Sequence, residues 1–159
     1  MKNNKIVVGI THGDINSISY EVIIKALMDN RILDSFIPIV YGSPKVAAYH
    51  RKALNIDNFS FNTIKTAEEA NPKKANIINC IDEDIRVELG KSTDYAGLAS
   101  VQALDIACRD LASQKIDVLV TGPISKQNVQ SGTFTFSGHT EYLESRFKTE
   151  GVLMLMVNE

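Results

Sequence analysis

The stretch Phe134–Phe147, which reads FTFSGHTEYLESRF, combines side chains that could bind an anion where a helix begins. A short apolar run meets Gly138, and His139 and Thr140 then precede a helical pattern with Glu141 in its first turn. The first N–H groups of a helix have no intrahelical partner, and an imidazole and a hydroxyl add hydrogen-bonding groups suited to phosphate or carboxylate. The plain alternative is a helix cap, with Thr140 as N-cap and a glutamate closing the first turn.

Two further loops follow predicted strands and also carry polar side chains. The first holds His12 and Asp14, which could contact a substrate or cofactor, although Asp14 could instead bond its own backbone in a tight turn. The second holds Gly122, Ser125 and Lys126, where a glycine permits close backbone approach and a lysine attracts an anion. Its alternative is a strand-to-helix turn with a surface lysine. Since parallel strands end at one edge of a sheet, these loops can form a pocket for a small phosphorylated or carboxylated substrate.

The elements that must position these loops alternate between strands and helices, which predicts an α/β protein with a largely parallel or mixed sheet. Strands are predicted at 5–10, 35–42, 59–65, 75–81, 117–120 and 151–159, and helices at 20–33, 43–56 and 95–114. We expect Ser17 or Ser19 to cap the first helix and Ser43 to cap the second. Pro38 predicts that the second strand lies at an edge or that the proline lies at a strand end.

Length, composition, net charge and cysteine content limit the possible classes of protein. The 159 residues are 44% apolar with a net charge of -2, and no basic block indicates nucleic acid or an anionic membrane as a main partner. Cys80 and Cys108 lack metal-ligand spacing and are predicted to be buried thiols in a reducing compartment. The apolar run at the start is too short for a signal peptide or a membrane span, so a cytoplasmic location is expected.

The apolar run at 152–157 is typical of a central strand, which a following element would have to cover. We therefore expect the chain to be a fragment, or to be completed by a partner. The alternative is a compact domain that ends on its last strand.

Four blocks carry a family resemblance. VTGPISK (120–126), FSGHTEYLESRF (136–147) and VLMLMV follow one another, and the start contains GITHGDINSISYEVIIKAL. Together these blocks resemble the 4-hydroxythreonine-4-phosphate dehydrogenase family of vitamin B6 synthesis over nearly the whole chain. The resemblance implies an isocitrate/isopropylmalate dehydrogenase-like fold of two α/β lobes, here truncated, in a homodimer. The N-terminal lobe would span 1–128, and 129–159 would begin an incomplete second lobe.

The resemblance also implies an activity. Members oxidise the secondary alcohol of 4-phosphooxy-L-threonine with NAD and a divalent metal (Zn, Mg or Co), and CO2 is then lost. By resemblance His139 and Thr140 bind substrate, and Asp14 and Lys126 are candidates for the substrate or active-site loop. None of the three histidines matches the metal ligands of the family, so we expect the metal ligands and most NAD contacts beyond residue 159. The catalytic and cofactor-binding residues are left unassigned.

One departure keeps other functions open. Family members carry the loop G-D-P-A-G-I-G-P-E, of which Gly13, Asp14, Ile18 and Glu21 remain here while residues 15–17, 19 and 20 differ. A related dehydrogenase of a phosphorylated sugar acid such as threonate 4-phosphate is one alternative. A non-catalytic module that binds a phosphorylated ligand is another, favoured by the lack of a nucleotide-binding glycine fingerprint.

Overall fold

A five-stranded parallel sheet forms the centre of the computed structural model, which describes residues 5–81, 84–130 and 134–157. All four neighbouring strand pairs are parallel, and the strands lie in the order β3-β4-β2-β1-β5. The strands are β1 (Ile6–Thr11), β2 (Phe36–Gly42), β3 (Asn62–Ile64), β4 (Asn76–Asn79) and β5 (Val118–Thr121). The predicted α/β class with a parallel sheet is confirmed.

Helices cover both faces of this sheet, as a parallel sheet requires. They are α1 (Ser19–Leu27), α2 (Ile32–Ser35), α3 (Pro44–Ala53), α4 (Asp94–Ala112), α5 (Lys126–Val129) and α6 (His139–Phe147), with a 3₁₀ turn at Ala67–Glu69. Val40 and Ile77 pack in one cluster with residues of α1 and α3. Ile39 and Ile78, their neighbours in sequence, pack in a second cluster with α4. This alternation along each strand places α1 and α3 on one face and the part of α4 from Ala103 on the other, while Ala96 and Ala99 at the start of α4 belong to the first cluster.

Pro38 lies in a strand with neighbours on both sides, so the predicted edge position is wrong. β2 pairs with β1 at Val8 and Pro38, whereas its pairing with β4 begins one residue later, at Ile39 and Asn76. The position that lacks an N–H donor therefore precedes the part of β2 that is paired on both sides. The Asn76 side chain also binds this part of β2, because its Nδ2 donates to the Pro38 carbonyl oxygen at 3.1 Å.

The helix starts agree with the sequence in one case and differ in the other. Ser43 caps α3 as predicted, because its side chain accepts a hydrogen bond from the Val46 N–H. At α1 the N-cap residue is Ile18, which makes no side-chain cap, so the expectation for Ser17 or Ser19 is wrong. The Ser19 hydroxyl instead donates to the His12 carbonyl oxygen. The predicted helix 20–33 is also interrupted, since α1 ends at Leu27 and α2 is separate.

The strand predicted at 151–159 is wrong for residues 151–157, which make no strand pairing in the structure. The side chains from Val152 to Val157 are between 47% and 96% exposed. None of the described residues therefore covers these apolar side chains to the extent that a central strand requires. Residues 158 and 159 lie outside the described part.

Residues 134–147 pack on α4 through a third apolar cluster. Phe134 and Tyr142 contact Leu104 and Cys108 in this cluster, and their two rings stack with centroids 5.3 Å apart. Where a second lobe begins, predicted at residue 129, stays a prediction.

The thiols follow the expectation of burial to different extents. Cys108 is buried and Cys80 is half-buried, and both are free. Burial raises the pKa of Cys108 to about 11 and that of Cys80 to about 12, so both are protonated at neutral pH. Within 5–81, 84–130 and 134–157, no helix combines the length and the apolarity that crossing a membrane requires.

Gly97 sets how closely α4 approaches α5. A Cβ at this position would lie 1.9 Å from the Asn128 carbonyl oxygen, which is backbone and cannot turn away. We expect Gly97→Ala to lower the free energy of unfolding by about 2 kcal/mol, because the overpacking outweighs the gain of about 1 kcal/mol in helix propensity. Urea unfolding measures the difference.

Gly151→Ala is the matched control, because a Cβ at Gly151 meets nothing within 4 Å. An unchanged stability of the Gly97→Ala variant would contradict the close α4–α5 contact.

Candidate functional site

The loops that follow β1 and β5 are tied to each other by backbone hydrogen bonds. The Gly122 N–H donates to the Thr11 carbonyl oxygen at 3.1 Å, and the Asp14 N–H donates to the Pro123 carbonyl oxygen at 2.9 Å. A Cβ at Gly122 would lie 2.5 Å from the Thr11 carbonyl oxygen. The glycine therefore serves the contact between the two loops, and the close approach to a ligand that the sequence suggested stays a prediction.

Helix α4 contacts the loop that follows β1 through two buried polar interactions. The Ser100 hydroxyl donates to the Gly13 carbonyl oxygen at 2.6 Å, and His12 Nε2 lies 3.2 Å from the Ala99 carbonyl oxygen. A carbonyl only accepts, so Nε2 carries the proton. His12 is fully buried, and its Nδ1 has no partner among the described residues. The structure thus encloses His12 in the core and does not bring it to a ligand.

Asp14 and Asn16 fold this loop and anchor a distant segment. Asp14 Oδ1 accepts the Asn16 N–H at 2.9 Å, which is the tight turn named as the alternative for Asp14. The Asn16 side chain donates to Lys91 and Thr93 and accepts the Glu88 N–H at 2.8 Å. Both donors of the Asn16 amide and its oxygen are thereby directed to residues 88–93. This role could not be predicted from the sequence, because the partners lie more than 70 positions away.

A pocket of about 590 Å³ lies beyond the end of β5 and is called the β5 pocket below. It is lined by residues 121–124, Lys126, residues 138–141 and Met154. Three of the four predicted site residues, Lys126, His139 and Thr140, are thus brought together. Asp14, the fourth, lines a different pocket.

His139 is the first residue of α6 and is half-buried in the β5 pocket. Its Nε2 is buried and has no hydrogen-bond partner among the described residues. Burial lowers the pKa of the imidazole, so the ring is neutral at neutral pH. The N-cap is Gly138, in an extended conformation with a φ of 178°, so the cap by Thr140 that the sequence allowed is not observed.

The Glu141 carboxylate binds hydrogen-bond donors at the start of its own helix, α6. Its pKa is lowered by a hydrogen bond from its own backbone N–H, by the Ser137 hydroxyl and by the charge of Lys126. The glutamate thus closes the first turn and shares the Lys126 charge with any bound anion. The β5 pocket accordingly offers an ammonium group, a hydroxyl and a neutral imidazole, which together suit a ligand that carries both an anionic group and hydroxyls.

A second pocket of about 600 Å³, here called the α1 pocket, lies at the start of α1. Its polar lining includes Asp14, Ser17, Ser92 and Asn128. Asn128 is only 7% exposed; its Oδ1 accepts the Ser92 hydroxyl, and its Nδ2 has no partner among the described residues. Asn128 was missed from the sequence, since a single asparagine on a four-residue helix forms no motif.

The described residues do not contain a metal site. No three His, Cys, Asp or Glu side chains within 5–81, 84–130 and 134–157 are grouped so that they could hold an ion. His12 and His50 each lie within hydrogen-bond distance of a backbone carbonyl oxygen, at 3.2 and 2.8 Å.

A comparison with known protein families identifies the family of this chain. Residues 34–159 match the profile of the family described as pyridoxal phosphate biosynthetic protein PdxA, and the chain belongs to this family. The predicted family resemblance is confirmed.

Two curated relatives illustrate which dehydrogenases the chain is similar to. A 4-hydroxythreonine-4-phosphate dehydrogenase of Bacteroides thetaiotaomicron is 45% identical over 161 residues, which cover 100% of this chain and 44% of that protein. A relative from Oceanobacillus iheyensis, whose name proposes a D-threonate 4-phosphate dehydrogenase, is 32% identical over 157 residues, or 97% of this chain and 47% of its own length. The chain therefore spans about half the length of these curated relatives.

A solved structure agrees with the fold. The crystal structure of a 4-hydroxythreonine-4-phosphate dehydrogenase from Burkholderia phymatum superposes with a TM-score of 0.84 at 27% identity. The match covers 94% of this chain and 46% of that one. The predicted fold class is confirmed for the part that is compared.

The burial of His12 predicts a dependence of stability on pH. Desolvation lowers the pKa of His12 from 6.5 to about 4, so the unfolded chain binds a proton more readily than the folded chain between these values. The contribution of neutral His12 to the free energy of unfolding is fully present above about pH 6.5 and is lost as the pH falls towards 4. Between pH 7.5 and pH 5 we expect His12 alone to remove about 2 kcal/mol from the free energy of unfolding.

Urea unfolding at both pH values, compared between the unsubstituted protein and His12→Gln, measures this contribution. The glutamine keeps a donor for the Ala99 carbonyl oxygen but does not titrate. Equal pH dependence in the two proteins would show that folding does not lower the pKa of His12, and would contradict the prediction.

Proposed function

We propose that the protein acts in an NAD- and divalent-metal-dependent dehydrogenase that oxidises 4-phosphooxy-L-threonine, with decarboxylation, in vitamin B6 synthesis. Membership of the PdxA family and the 45% identity to a 4-hydroxythreonine-4-phosphate dehydrogenase support this assignment. The present chain would supply part of the substrate site, and the remaining groups would follow residue 159.

The observation that carries the proposal is the unpaired imidazole nitrogen in the β5 pocket. Burying a polar atom without a partner costs on the order of 1–3 kcal/mol, so such atoms in native structures call for an explanation. His139 Nε2 is in this position, and Thr140 and Lys126 line the same pocket as His139. A bound substrate would give the nitrogen its partner after a small rotation of the ring.

Each residue of the pocket has a distinct part in binding. Lys126 attracts the phosphate or carboxylate of the substrate by charge. Thr140 and the neutral His139 hydrogen-bond to substrate oxygens and thereby fix its orientation, and because the imidazole is neutral it can accept as well as donate. Glu141 competes for Lys126, so the site would favour a doubly charged phosphate over a weaker anion.

Metal and NAD are proposed to bind through residues outside this chain. The described residues offer no metal-binding group, and the sequence has no glycine-rich dinucleotide fingerprint. When bound, NAD would accept the hydride of the secondary alcohol. No step is assigned to a metal ligand or a cofactor contact of this chain.

The location and assembly are part of the same proposal. We propose a homodimer in the cytoplasm that acts on a small phosphorylated metabolite, without a nucleic acid or membrane partner. The net charge of -2 and the lack of a basic block support the exclusion of nucleic acid.

A second candidate is the oxidation of D-threonate 4-phosphate. The 32% identity to the Oceanobacillus iheyensis relative supports it, as do the altered residues of the 15–20 loop. The two substrates differ in the group beside the oxidised carbon, an amine in one and a hydroxyl in the other, so their rates discriminate between the candidates.

An assay of NADH formation tests the proposal directly. We expect the complete gene product, with a divalent metal and NAD, to turn over 4-phosphooxy-L-threonine faster than D-threonate 4-phosphate. The reverse preference would favour the second candidate. If neither substrate is oxidised but calorimetry detects binding without NAD or metal, the protein is a binding module.

Replacement of His139 tests the pocket. We expect His139→Ala in the complete gene product to weaken substrate binding by about 1.5–3 kcal/mol, or roughly 10- to 150-fold, because a hydrogen bond to a charged ligand is lost. Steady-state kinetics measure the change, and circular dichroism checks the fold. His139→Gln, which keeps a donor, should recover part of the loss. Unchanged KM and kcat in the alanine variant would refute the ligand role.

A further inference from the structure

Helix α6 carries His139 and Thr140 at its start, yet it is attached to the rest of the protein along one narrow side. Of its nine residues, all of which the structure describes, Tyr142 alone is buried. The Tyr142 ring stacks on Phe134 with centroids 5.3 Å apart and meets Phe136 edge-on at 5.4 Å. The position of the two pocket residues therefore depends on what holds this side of the helix.

Asp105, in the middle of α4, binds this side of α6 through its carboxylate. Its Oδ1 accepts the Tyr142 hydroxyl at 3.4 Å and lies 3.3 Å from Nη2 of Arg146. Its Oδ2 pairs with Arg109, one turn further along α4, at 2.9 Å. Burial and the charge of Asp105 raise the pKa of Tyr142 to about 12, so the hydroxyl keeps its proton and donates a hydrogen bond. One carboxylate thus joins α4 to two residues of α6.

His139 lies on the same side of α6 as the two residues that Asp105 binds. Tyr142 and Arg146 follow His139 by three and seven positions, and side chains at this spacing share one side of a helix. The imidazole is half-buried, and its Nε2 is buried. A rotation or tilt of α6 away from α4 would therefore carry the imidazole towards solvent.

Helix α4 is a firm support for this contact. Leu104 and Cys108, which flank Asp105 along the helix, are buried and share an apolar cluster with Tyr142. Nearer the start of α4, the Ser100 hydroxyl donates to a backbone oxygen of the loop after β1. An isolated ion pair whose carboxylate is 40% exposed adds little, but this carboxylate has three partners, and a network of charges is more effective.

We propose that Asp105 is a positioning residue for the β5 pocket. By holding Tyr142 and Arg146 it fixes α6 on α4. The fixed helix in turn places His139 and Thr140 against a bound substrate. Asp105 is not among the described residues that line the pocket, so it acts through α6 and not by contact with a ligand. The last step of this inference rests on the proposed function, whereas the placement of α6 does not.

The pKa of the His139 imidazole, measured by NMR in the complete gene product, tests the placement of α6 without a substrate. Burial lowers this pKa below 6.5. We expect Asp105→Ala to raise it towards 6.5, because α6 shifts and the ring gains contact with water. Asp110→Ala is the matched control and should leave the pKa unchanged. Asp110 is half-buried on the same helix and also accepts a tyrosine hydroxyl, but its partner is Tyr41 of β2, at 2.8 Å.

Steady-state kinetics with 4-phosphooxy-L-threonine test the last step. We expect Asp105→Ala to raise KM about 10-fold, less than the roughly 100-fold that a displacement of about 1 Å can cost, with a smaller effect on kcat. Asp105→Glu, which keeps the carboxylate, should recover most of the change, and Asp110→Ala should leave KM unchanged. If the alanine variant does not fold, Asp105→Asn, which keeps the size of the side chain but not its charge, replaces it in both measurements.

Two results would overturn the proposal. The first is an unchanged His139 pKa together with an unchanged KM in the Asp105 variant. The second is an equal change in the Asp105 and Asp110 variants, because this would report a general loss of stability. A His139 pKa that shifts only in the Asp105 variant, with KM unchanged in that variant and in His139→Ala, would support the placement of α6 by Asp105 and refute the substrate role of His139.

Discussion

The contact between the loops after β1 and β5 is the constraint on which the arrangement of the site depends. Two backbone hydrogen bonds, from Gly122 to Thr11 and from Asp14 to Pro123, hold the loops together at the end of the sheet. Helix α4 fixes the same loop through Ser100 and the Ala99 carbonyl oxygen. The contact lies just before α1 and α5, and Lys126, the first residue of α5, lies near Gly138 at the start of α6.

The same contact divides the polar side chains between two tasks. His12, Asp14 and Asn16 are buried, and their hydrogen bonds go mainly to the loop itself and to residues 88–99. Burying polar groups is tolerated when they are paired, which fits the hydrogen bonds of Asp14, Asn16 and the Nε2 of His12. The groups that remain for a ligand in the β5 pocket come from the β5 side and from α6. His12 Nδ1 and His139 Nε2 are both buried without a partner among the described residues, but only His139 lines the β5 pocket.

Local patterns in the sequence predicted much of the fold. The alternation of apolar runs and amphipathic patterns gave the parallel α/β sheet, and Ser43 before Pro44 marked the start of α3, because caps depend on residues within one turn. One pocket shared by all three polar loops was predicted in the same way, since strand ends converge at one edge of a sheet, but Asp14 of the loop after β1 lines a different pocket. Lys126, His139 and Thr140 accordingly lie in one pocket.

Long-range packing set what the sequence could not predict. Pro38 lies in a central strand because the register places it before the pairing with β4, and register depends on residues 38 positions away. Asn16 and Asn128 act through partners 36 to 77 positions distant. The apolar run at 152–157 has the pattern of a strand, but no described neighbour pairs with it.

A crystal structure of the complete gene product with 4-phosphooxy-L-threonine is the most direct test of the central claim that the β5 pocket holds the substrate. We expect substrate oxygens within hydrogen-bonding distance of the His139 imidazole and the Thr140 hydroxyl, with an anionic group near Lys126. Substrate bound in the α1 pocket beside Asp14, with the His139 nitrogen still unpaired, would contradict it.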